Sequence, residues 1–135
     1  EQFIVKALRD AGALTISLVA EDSAQTVGHV AVSPVSISDG SIDWYGLGPI
    51  SVIPNEQGKG IGSKLMNTAI AELKNLKANG CVLLGNPNYY HRFGFEPIDG
   101  LVLPDVPPEY FQALLLRGTH PKGIVTYHES FSAQG

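Results

Sequence analysis

Residues 52–63 constrain the fold most strongly, because they join an apolar, strand-like stretch to a long amphipathic helix through three glycines. Gly58, Gly60 and Gly62 stand at alternate positions where the helix is predicted to begin. Glycines let the backbone curl so that N–H groups converge, and a helix start adds unpaired donors and a positive dipole end. This pattern predicts an anion-binding loop of the kind that holds pyrophosphate. A glycine-rich packing turn without a ligand is the alternative interpretation.

Two well-known phosphate-binding motifs do not fit this loop. A Walker loop has its lysine directly after the last glycine, whereas Lys59 lies between two glycines. The dinucleotide-binding fingerprint requires a glycine at the position that Ser63 occupies. Nucleotide binding of either type is therefore disfavoured.

Apolar periodicity predicts the elements of the first half of the chain. Helical spacing predicts an N-terminal helix that ends at Gly12 and carries Ile4, Ala7, Leu8 and Ala11. Two β-branched stretches, residues 14–20 and 26–33, predict an antiparallel hairpin. Residues 42–53 predict a long strand, in which Gly48-Pro49 indicates a bulge or splay. Because Glu1 falls inside the first predicted helix, we expect a further strand or helix to precede it.

The second half alternates helices and strands. A helix is predicted over residues 61–79 with Gly80 as its end, followed by a strand over residues 81–84. Asn86 and Pro87 predict the cap and first turn of a short helix that Gly94 ends. Pro107-Pro108 predict another helix, closed by Gly118 and carrying Tyr110, Phe111, Leu114 and Leu115. Residues 123–131 predict a last strand. The order indicates one domain over residues 1–135, of the mixed α/β (α+β) class.

Composition excludes several classes of function. The net charge is -4 and the nine Lys and Arg are scattered, which argues against a nucleic-acid surface. No apolar run approaches the roughly 18 residues of a membrane span. The single cysteine, Cys81, cannot form an internal disulfide, so a cytoplasmic setting is expected. His120 and His128 have no clustered Cys, Asp or Glu nearby in sequence, so no metal site is predicted.

Two segments together resemble the Gcn-related N-acetyltransferase (GNAT) superfamily. Residues 57–62 fit its Gln/Arg-x-x-Gly-x-Gly/Ala signature, and residues 89–95 resemble its aromatic-Tyr-x-x-x-Gly-Phe segment. Residues 85–95 look most like the YhbS-like branch. The resemblance covers about residues 14–131, and its specific part is residues 49–95. It implies a mixed, mostly antiparallel central sheet with helices on both faces and a strand splayed near Gly48-Pro49.

The resemblance also implies an activity. A member of this family transfers the acetyl group of acetyl-CoA to an amine of a small molecule or peptide, by direct attack in a ternary complex and without a metal. Tyr90 would protonate the leaving thiolate; an aromatic core position is its alternative role. The implied coenzyme-binding residues are Ser51, Val52, Ile53, Gln57, Gly58, Lys59, Gly60, Ile61, Gly62, Ser63, Asn86, Tyr89 and Phe93.

The chain departs from the family pattern at two positions. Many members have an Asn that contacts pantetheine seven residues before the tyrosine, where this chain has Leu83. Some have a Glu general base eleven residues before the Gln, where this chain has Gly46. A water chain, Asp43, Tyr45 or His29 remain open as the route for the amine proton.

Other properties stay open at this level. A non-catalytic acyl-CoA-binding or regulatory domain is the alternative function. Spermidine-like amines, aminoglycosides, amino acids and protein N-termini are all possible acceptors, and the protein is expected to be a monomer or homodimer. Residues 101–122 are expected to cover the acceptor side of the cleft, since their prolines and glycines mark an inserted excursion.

Overall fold

A mixed sheet of eight strands forms the centre of this computed structural model, which describes residues 4–8, 16–23 and 25–127. The strands are β1 (Ile4–Leu8), β2 (Ile16–Asp22), β3 (Gln25–Ile37), β4 (Trp44–Val52), β5 (Gly80–Leu84), β6 (Leu101–Val102), β7 (Phe111–Leu115) and β8 (Gly123–Tyr127). The helices are α1 (Ile61–Asn75) and α2 (Pro87–Tyr90). The sheet order is β1-β2-β3-β4-β5-β7, antiparallel except for β4 and β5; β8 pairs antiparallel with β3 and parallel with β6.

The prediction of an N-terminal helix was wrong, because Ile4–Leu8 forms strand β1. It pairs antiparallel with β2, from Ile4 opposite Glu21 to Leu8 opposite Ser17. A short helical spacing of apolar residues also suits a strand, and isolated helices of so few residues are marginal. The ladder along β2 satisfies the backbone groups of β1 instead. The predicted helix end at Gly12 lies outside the described residues.

The predicted hairpin is confirmed as β2 and β3, which pair from Ile16 opposite Val32 to Asp22 opposite Gln25. Alternate residues of β2 are buried: Ile16, Leu18 and Ala20. They pack with the apolar face of α1, so that one face of the sheet and one face of a helix form the larger core cluster.

The splay near Gly48 is also confirmed. β4 pairs with β5 only from Trp44 to Gly46, which lies opposite Val82. Pairing of β4 with β3 continues to Val52, with a register shift between Val30 and Val32. The φ angle of Gly48 is 140°, a value that glycine adopts readily. The two central strands therefore separate beyond Gly46, and no other described strand pairs with the edge of β4 that faces β5.

Helix α1 begins where predicted but ends four residues early, at Asn75 rather than Asn79. Lys77 takes a left-handed conformation with a φ of 62° and turns the chain out of the helix. Gly80 therefore does not end the helix; it belongs to β5, where the Trp44 ring occupies the space of any side chain. The buried residues of α1 are Ile61, Leu65, Met66, Ala69 and Leu73.

The helix predicted after Pro107-Pro108 is absent as well. A 3₁₀ turn covers Pro108–Tyr110, and β7 then pairs with β5 from Phe111 opposite Leu84 to Leu115 opposite Gly80. Apolar residues at both odd and even positions fit either period over so short a run, and the outer edge of β5 supplies the ladder. The second core cluster lies on the face opposite α1 and comprises Ile37, Trp44, Val82, Leu101, Phe111, Ala113 and Val125.

The last predicted strand is confirmed over Gly123–Tyr127, and residues 128–131 lie outside the described part. Asn86 and Gly94 begin and end the short helical segment as predicted. None of the helices in the described ranges is long and apolar enough to cross a membrane.

Candidate active site

The loop between β4 and α1 presents a concave backbone surface. Gly58 and Gly60 have φ angles of 85° and 82°, in the left-handed region that glycine adopts without strain. A Cβ atom added to either glycine would meet no heavy atom of the described residues within 4 Å. The space above these two residues is therefore open to a ligand.

The start of α1 faces the same space. Gly60 is the capping residue and has no side chain to bond the first turn, and the first intrahelical bond runs from the Lys64 N–H to the Gly60 oxygen at 3.0 Å. The N–H groups of Ile61, Gly62 and Ser63 therefore have no intrahelical acceptor. Their donors and the helix dipole together favour an anion.

A groove of about 480 Å³ extends from this loop to helix α2. Its lining residues are Val52, Glu56, Gln57, Gly58, Gly60, Ile61, Gly62, Ser63, Tyr89 and Arg92. Tyr89 closes one side, since its hydroxyl lies 3.1 Å from where a Cβ atom of Gly62 would stand. The fold therefore brings eight of the thirteen predicted coenzyme-binding residues into one concave surface.

One side-chain contact holds the loop against the end of β4, and a second joins two residues within the loop. Gln57 donates from Nε2 to the carbonyl oxygen of Val52 at 3.0 Å, and Lys59 Nζ lies 3.2 Å from the Glu56 carboxylate. The Gln57 side chain therefore links the loop to the strand end.

The other predicted coenzyme residues lie outside the groove lining. Ser51 is exposed on β4 opposite His29, and the Ile53 N–H donates to the Val27 oxygen at 2.9 Å. Lys59 is held by Glu56 as described. Asn86 caps α2, its Oδ1 accepting from the Asn88 N–H at 2.9 Å. Phe93 packs edge-on against Tyr89, with ring centroids 5.5 Å apart.

Arg92 lines the groove but did not emerge from the sequence patterns. Its guanidinium carbon lies 4.6 Å from the centroid of the Tyr89 ring, and its Nε donates to the Tyr89 oxygen at 3.0 Å. Arginine matches phosphate geometry and stacks on aromatic rings. The available signal was its position three residues after Tyr89, on the same side of a helical turn.

Tyr90 is half-buried beside the groove and is not part of its lining. Its ring packs against Tyr89 at 4.9 Å and Phe95 at 6.4 Å, and it fills the space that a side chain on Gly85 would need. Burial, and then the neighbouring Tyr89, raise the pKa of Tyr90. The phenol is therefore protonated at neutral pH and can donate a proton.

The two departures from the family pattern are structural as well. Leu83 is buried in the larger core cluster and offers no polar group. At Gly46 an added Cβ atom would meet the Tyr127 ring, so that no carboxylate fits there. The Tyr127 ring therefore occupies the space that a Glu side chain at this position would need.

None of the three candidate bases lines the groove. His29 Nε2 lies 2.9 Å from Ser17 Oγ. Burial, and then the charge of Asp43, raise the pKa of Tyr45. Asp43 itself is exposed in the turn before β4. In the ranges that the structure describes, no three His, Cys, Asp or Glu side chains come together as a metal site.

Known proteins with similar sequences and folds identify the family of this chain. Residues 14–97 match the family model described as an acetyltransferase (GNAT) domain. The uncharacterized N-acetyltransferase YhbS of Escherichia coli K12 is 37% identical over 97 residues, a match that spans 71% of this chain and 58% of that relative. The curated relative is therefore considerably longer than the matched region.

Two solved structures are similar over most of the chain. A GNAT acetyltransferase from Brucella melitensis in complex with acetyl-CoA shares 48% sequence identity with a TM-score of 0.75, covering 88% of this chain and 70% of that one. E. coli YhbS in complex with CoA shares 33% with a TM-score of 0.82, covering 91% and 72%. On its family model, its relatives and its fold, this chain belongs to the GNAT acetyltransferase family, in the YhbS-like branch.

Proposed function

We propose that this protein transfers the acetyl group of acetyl-CoA to an amine of a small molecule or peptide, by direct attack within a ternary complex. The proposal depends mainly on one observation: the open loop of Gly58 and Gly60 at the start of α1. This loop is continuous with a groove that Tyr89 and Arg92 also line. The similar structures from B. melitensis and E. coli hold acetyl-CoA and CoA, respectively.

The pyrophosphate is assigned to the loop and the start of α1. The free N–H groups of Ile61, Gly62 and Ser63 would donate to its oxygens, and the open sides of Gly58 and Gly60 would admit it. Arg92 would add a charge-assisted contact from the opposite wall. A phosphate group therefore has donors on two sides of the groove.

The pantetheine arm is assigned to the split between β4 and β5. Beyond Gly46 the edge of β4 has no partner on β5, and residues Ser51, Val52 and Ile53 lead from this edge to the phosphate loop. An amide-bearing chain can pair with such an edge as an added strand does. This route joins the phosphate loop to the point where the two strands separate.

The reaction then needs few groups from the protein. The amine nitrogen attacks the thioester carbonyl carbon, the carbon–sulfur bond breaks, and the thiolate takes a proton from the Tyr90 hydroxyl. The proton that the amine loses passes to water, which later restores the tyrosine. Because the pKa of Tyr90 is raised, the acid is in its donating form over the whole neutral range. The remaining rate enhancement comes from holding acetyl-CoA and the amine next to each other.

A thermal-shift and turnover assay tests the proposal. Acetyl-CoA at about 100 times its dissociation constant is expected to add about 2.7 kcal/mol of stability. A panel of amines is then screened for release of CoA thiol. If ATP or NAD raises the melting temperature and acetyl-CoA does not, coenzyme binding by this loop is refuted.

A non-catalytic acyl-CoA-binding domain is the second candidate function. Two observations favour it: no carboxylate fits at Gly46, and Tyr90 lies outside the groove lining. The same assay separates the two functions. Tight acetyl-CoA binding without thiol release from any amine in the panel would favour the binding domain.

A further inference from the structure

A second groove, of about 430 Å³, lies on the side of the sheet that carries the second core cluster, opposite α1. Leu84 at the end of β5, Leu103 and Pro104 after β6, and residues 124–127 of β8 form its walls. It shares no lining residue with the groove at the phosphate loop. The segment over residues 101–122 thus contributes one wall, although the helix predicted within it does not form.

This apolar groove meets the split between the central strands from both sides. Leu84 lies two residues beyond Val82, the last residue of β5 that pairs with β4. The Tyr127 ring packs against Gly46, the last residue of β4 that pairs with β5. The next residue after Leu84 is Gly85, which supports the Tyr90 ring. The apolar groove therefore adjoins the split, and the Tyr90 ring contacts the residue that follows Leu84.

Among the residues that the structure describes, the walls of the apolar groove carry no charged side chain. Leu84 and Ile124 leave 46% and 51% of their surface exposed, which is high for large aliphatic residues. Burial raises the pKa of Tyr127, so its phenol is neutral as well. Contact with such walls stabilises a bound apolar ligand. A charge on the ligand other than that of its amine would lose its hydration there without gaining a polar partner.

The apolar walls also affect whether a bound amine is protonated. Only the neutral amine attacks a thioester, and apolar surroundings lower the pKa of an ammonium group. Because the Tyr127 ring fills the space at Gly46, no carboxylate there can remove the proton. An α-amine, with an ordinary pKa of about 7.7–8.0, supplies far more neutral amine at pH 7 than an alkyl amine near 10.4.

We propose that the acceptor is a primary α-amine on an apolar, otherwise uncharged body, bound with that body in the apolar groove. The inference rests on the proposed acetyltransferase function and names its class of substrate. The Leu84 and Ile124 side chains would contact the apolar body, and the amine would point to the split between β4 and β5.

Three amines test this inference with the full chain and acetyl-CoA: phenylalanine amide, alanine amide and spermidine. The first two share an α-amine and differ in apolar volume, and the third carries several alkyl ammonium charges. We expect kcat/KM for phenylalanine amide to exceed that for alanine amide by at least about tenfold, with spermidine the poorest. A preference for spermidine, or equal rates with the two amides, would overturn the inference.

Two variants then locate the preference. Leu84→Ser and Ile124→Ser should each lower kcat/KM for phenylalanine amide towards the alanine amide value, with the KM for acetyl-CoA unchanged. Ile42→Ser is the matched control, because Ile42 is 69% exposed and lies outside the apolar groove. Equal losses for both amides would instead indicate a structural effect and contradict the assignment.

The outcomes also separate this inference from the proposed function. If acetyl-CoA does not bind, the proposed function fails first. If acetyl-CoA binds and only charged or polar amines are acetylated, the function holds and the acceptor class is wrong. If acetyl-CoA binds and no amine of the wider panel is acetylated, the proposed function fails. If other amines of that panel are acetylated but none of these three, only the acceptor class is wrong.

Discussion

The Tyr89 hydroxyl lies 3.1 Å from the point where a Cβ atom on Gly62 would stand. Helix α2 and the first turn of α1 thus touch at a position where only hydrogen is present on the backbone. This contact lets an aromatic side chain form one wall of the groove beside the glycine loop. It also makes Gly62 and Tyr89 an interacting pair whose effects can be tested together.

Gly62→Ala is expected to weaken acetyl-CoA binding by displacing Tyr89 a few tenths of an ångström. Gly62 has no left-handed φ, so an alanine fits its backbone without strain. Adding Tyr89→Phe removes the hydroxyl that the new methyl meets and should restore part of the affinity. Isothermal titration of the two single variants and the double variant measures the coupling. Additive losses would show that the methyl acts on the coenzyme directly.

Gly60→Val should abolish acetyl-CoA binding while the protein still folds. The side chain would fill the open space at the phosphate loop, and its left-handed φ costs about 1–2 kcal/mol. Gly40→Val is the matched control, since Gly40 has a φ of 86° and no heavy atom within 4 Å of an added Cβ. Both variants should lose similar stability, but only Gly60→Val should lose the ligand. Equal ligand affinity in the two would remove the loop from the site.

Arg92→Gln should reduce acetyl-CoA affinity by about tenfold, because it removes a charge-assisted contact to phosphate. The loss should shrink as salt concentration rises, since the contact is exposed. S-acetyl-pantetheine lacks the phosphates of the nucleotide half and serves as the control ligand. Its affinity should be the same for the wild type and the variant. An equal loss of affinity for S-acetyl-pantetheine would show that the substitution acts through the packing of Tyr89 and not through the phosphates.

Tyr90→Phe should lower kcat by about 10²- to 10⁴-fold and leave the KM for acetyl-CoA nearly unchanged. The substitution removes only the hydroxyl, so the ring contacts with Phe95 and Gly85 remain. Tyr110→Phe is the control, because Tyr110 is 45% exposed and lines neither groove. Tyr89→Phe should alter coenzyme affinity rather than kcat. If the Tyr90→Phe variant turned over at the wild-type rate, Tyr90 would have a packing role only.

Stability should decline above about pH 9 in part through Cys81. Burial raises the pKa of its thiol from 9.0 to about 12 in the folded protein. Between these values the unfolded chain has released a proton that the folded chain keeps, so the free energy of unfolding falls as pH rises. Below pH 9 the thiol is protonated in both states and has no such effect. Urea titrations of Cys81→Ala between pH 8 and about 10.5 should therefore show a shallower decline than the wild type.

Local signals in the sequence were sufficient for the elements around the phosphate loop. The alternate glycines, the amphipathic stripe of α1 and the Asn86-Pro87 cap each act within a few residues, through backbone sterics and hydrogen bonds to near neighbours. The same holds for the hairpin of β2 and β3. These parts of the fold were predictable because their causes lie inside the segment itself.

Short apolar runs were not decided by the sequence. Ile4–Leu8 and Phe111–Leu115 fit helical spacing, yet both are strands because the edges of β2 and β5 offer backbone partners from distant parts of the chain. Gly80 shows the same limit: its lack of a side chain serves Trp44, 36 residues earlier, rather than the end of α1. Pairing and packing between segments that are so far apart in the chain produce no periodic pattern in the sequence of either segment.

The sequence by itself therefore determined the glycine loop after β4 and the helix that follows it, because adjacent residues create them. The role of Tyr90 stays a prediction from the resemblance. Only the tertiary structure decided that Arg92 and Tyr89 face this loop, that Tyr127 fills the space at Gly46, and that Leu84 and Ile124 share a groove. Those relationships join elements that are far apart in the chain, and they arise when strands pair and side chains close-pack. The glycine loop arises from residues that are local in the sequence, whereas the apolar groove is a product of packing.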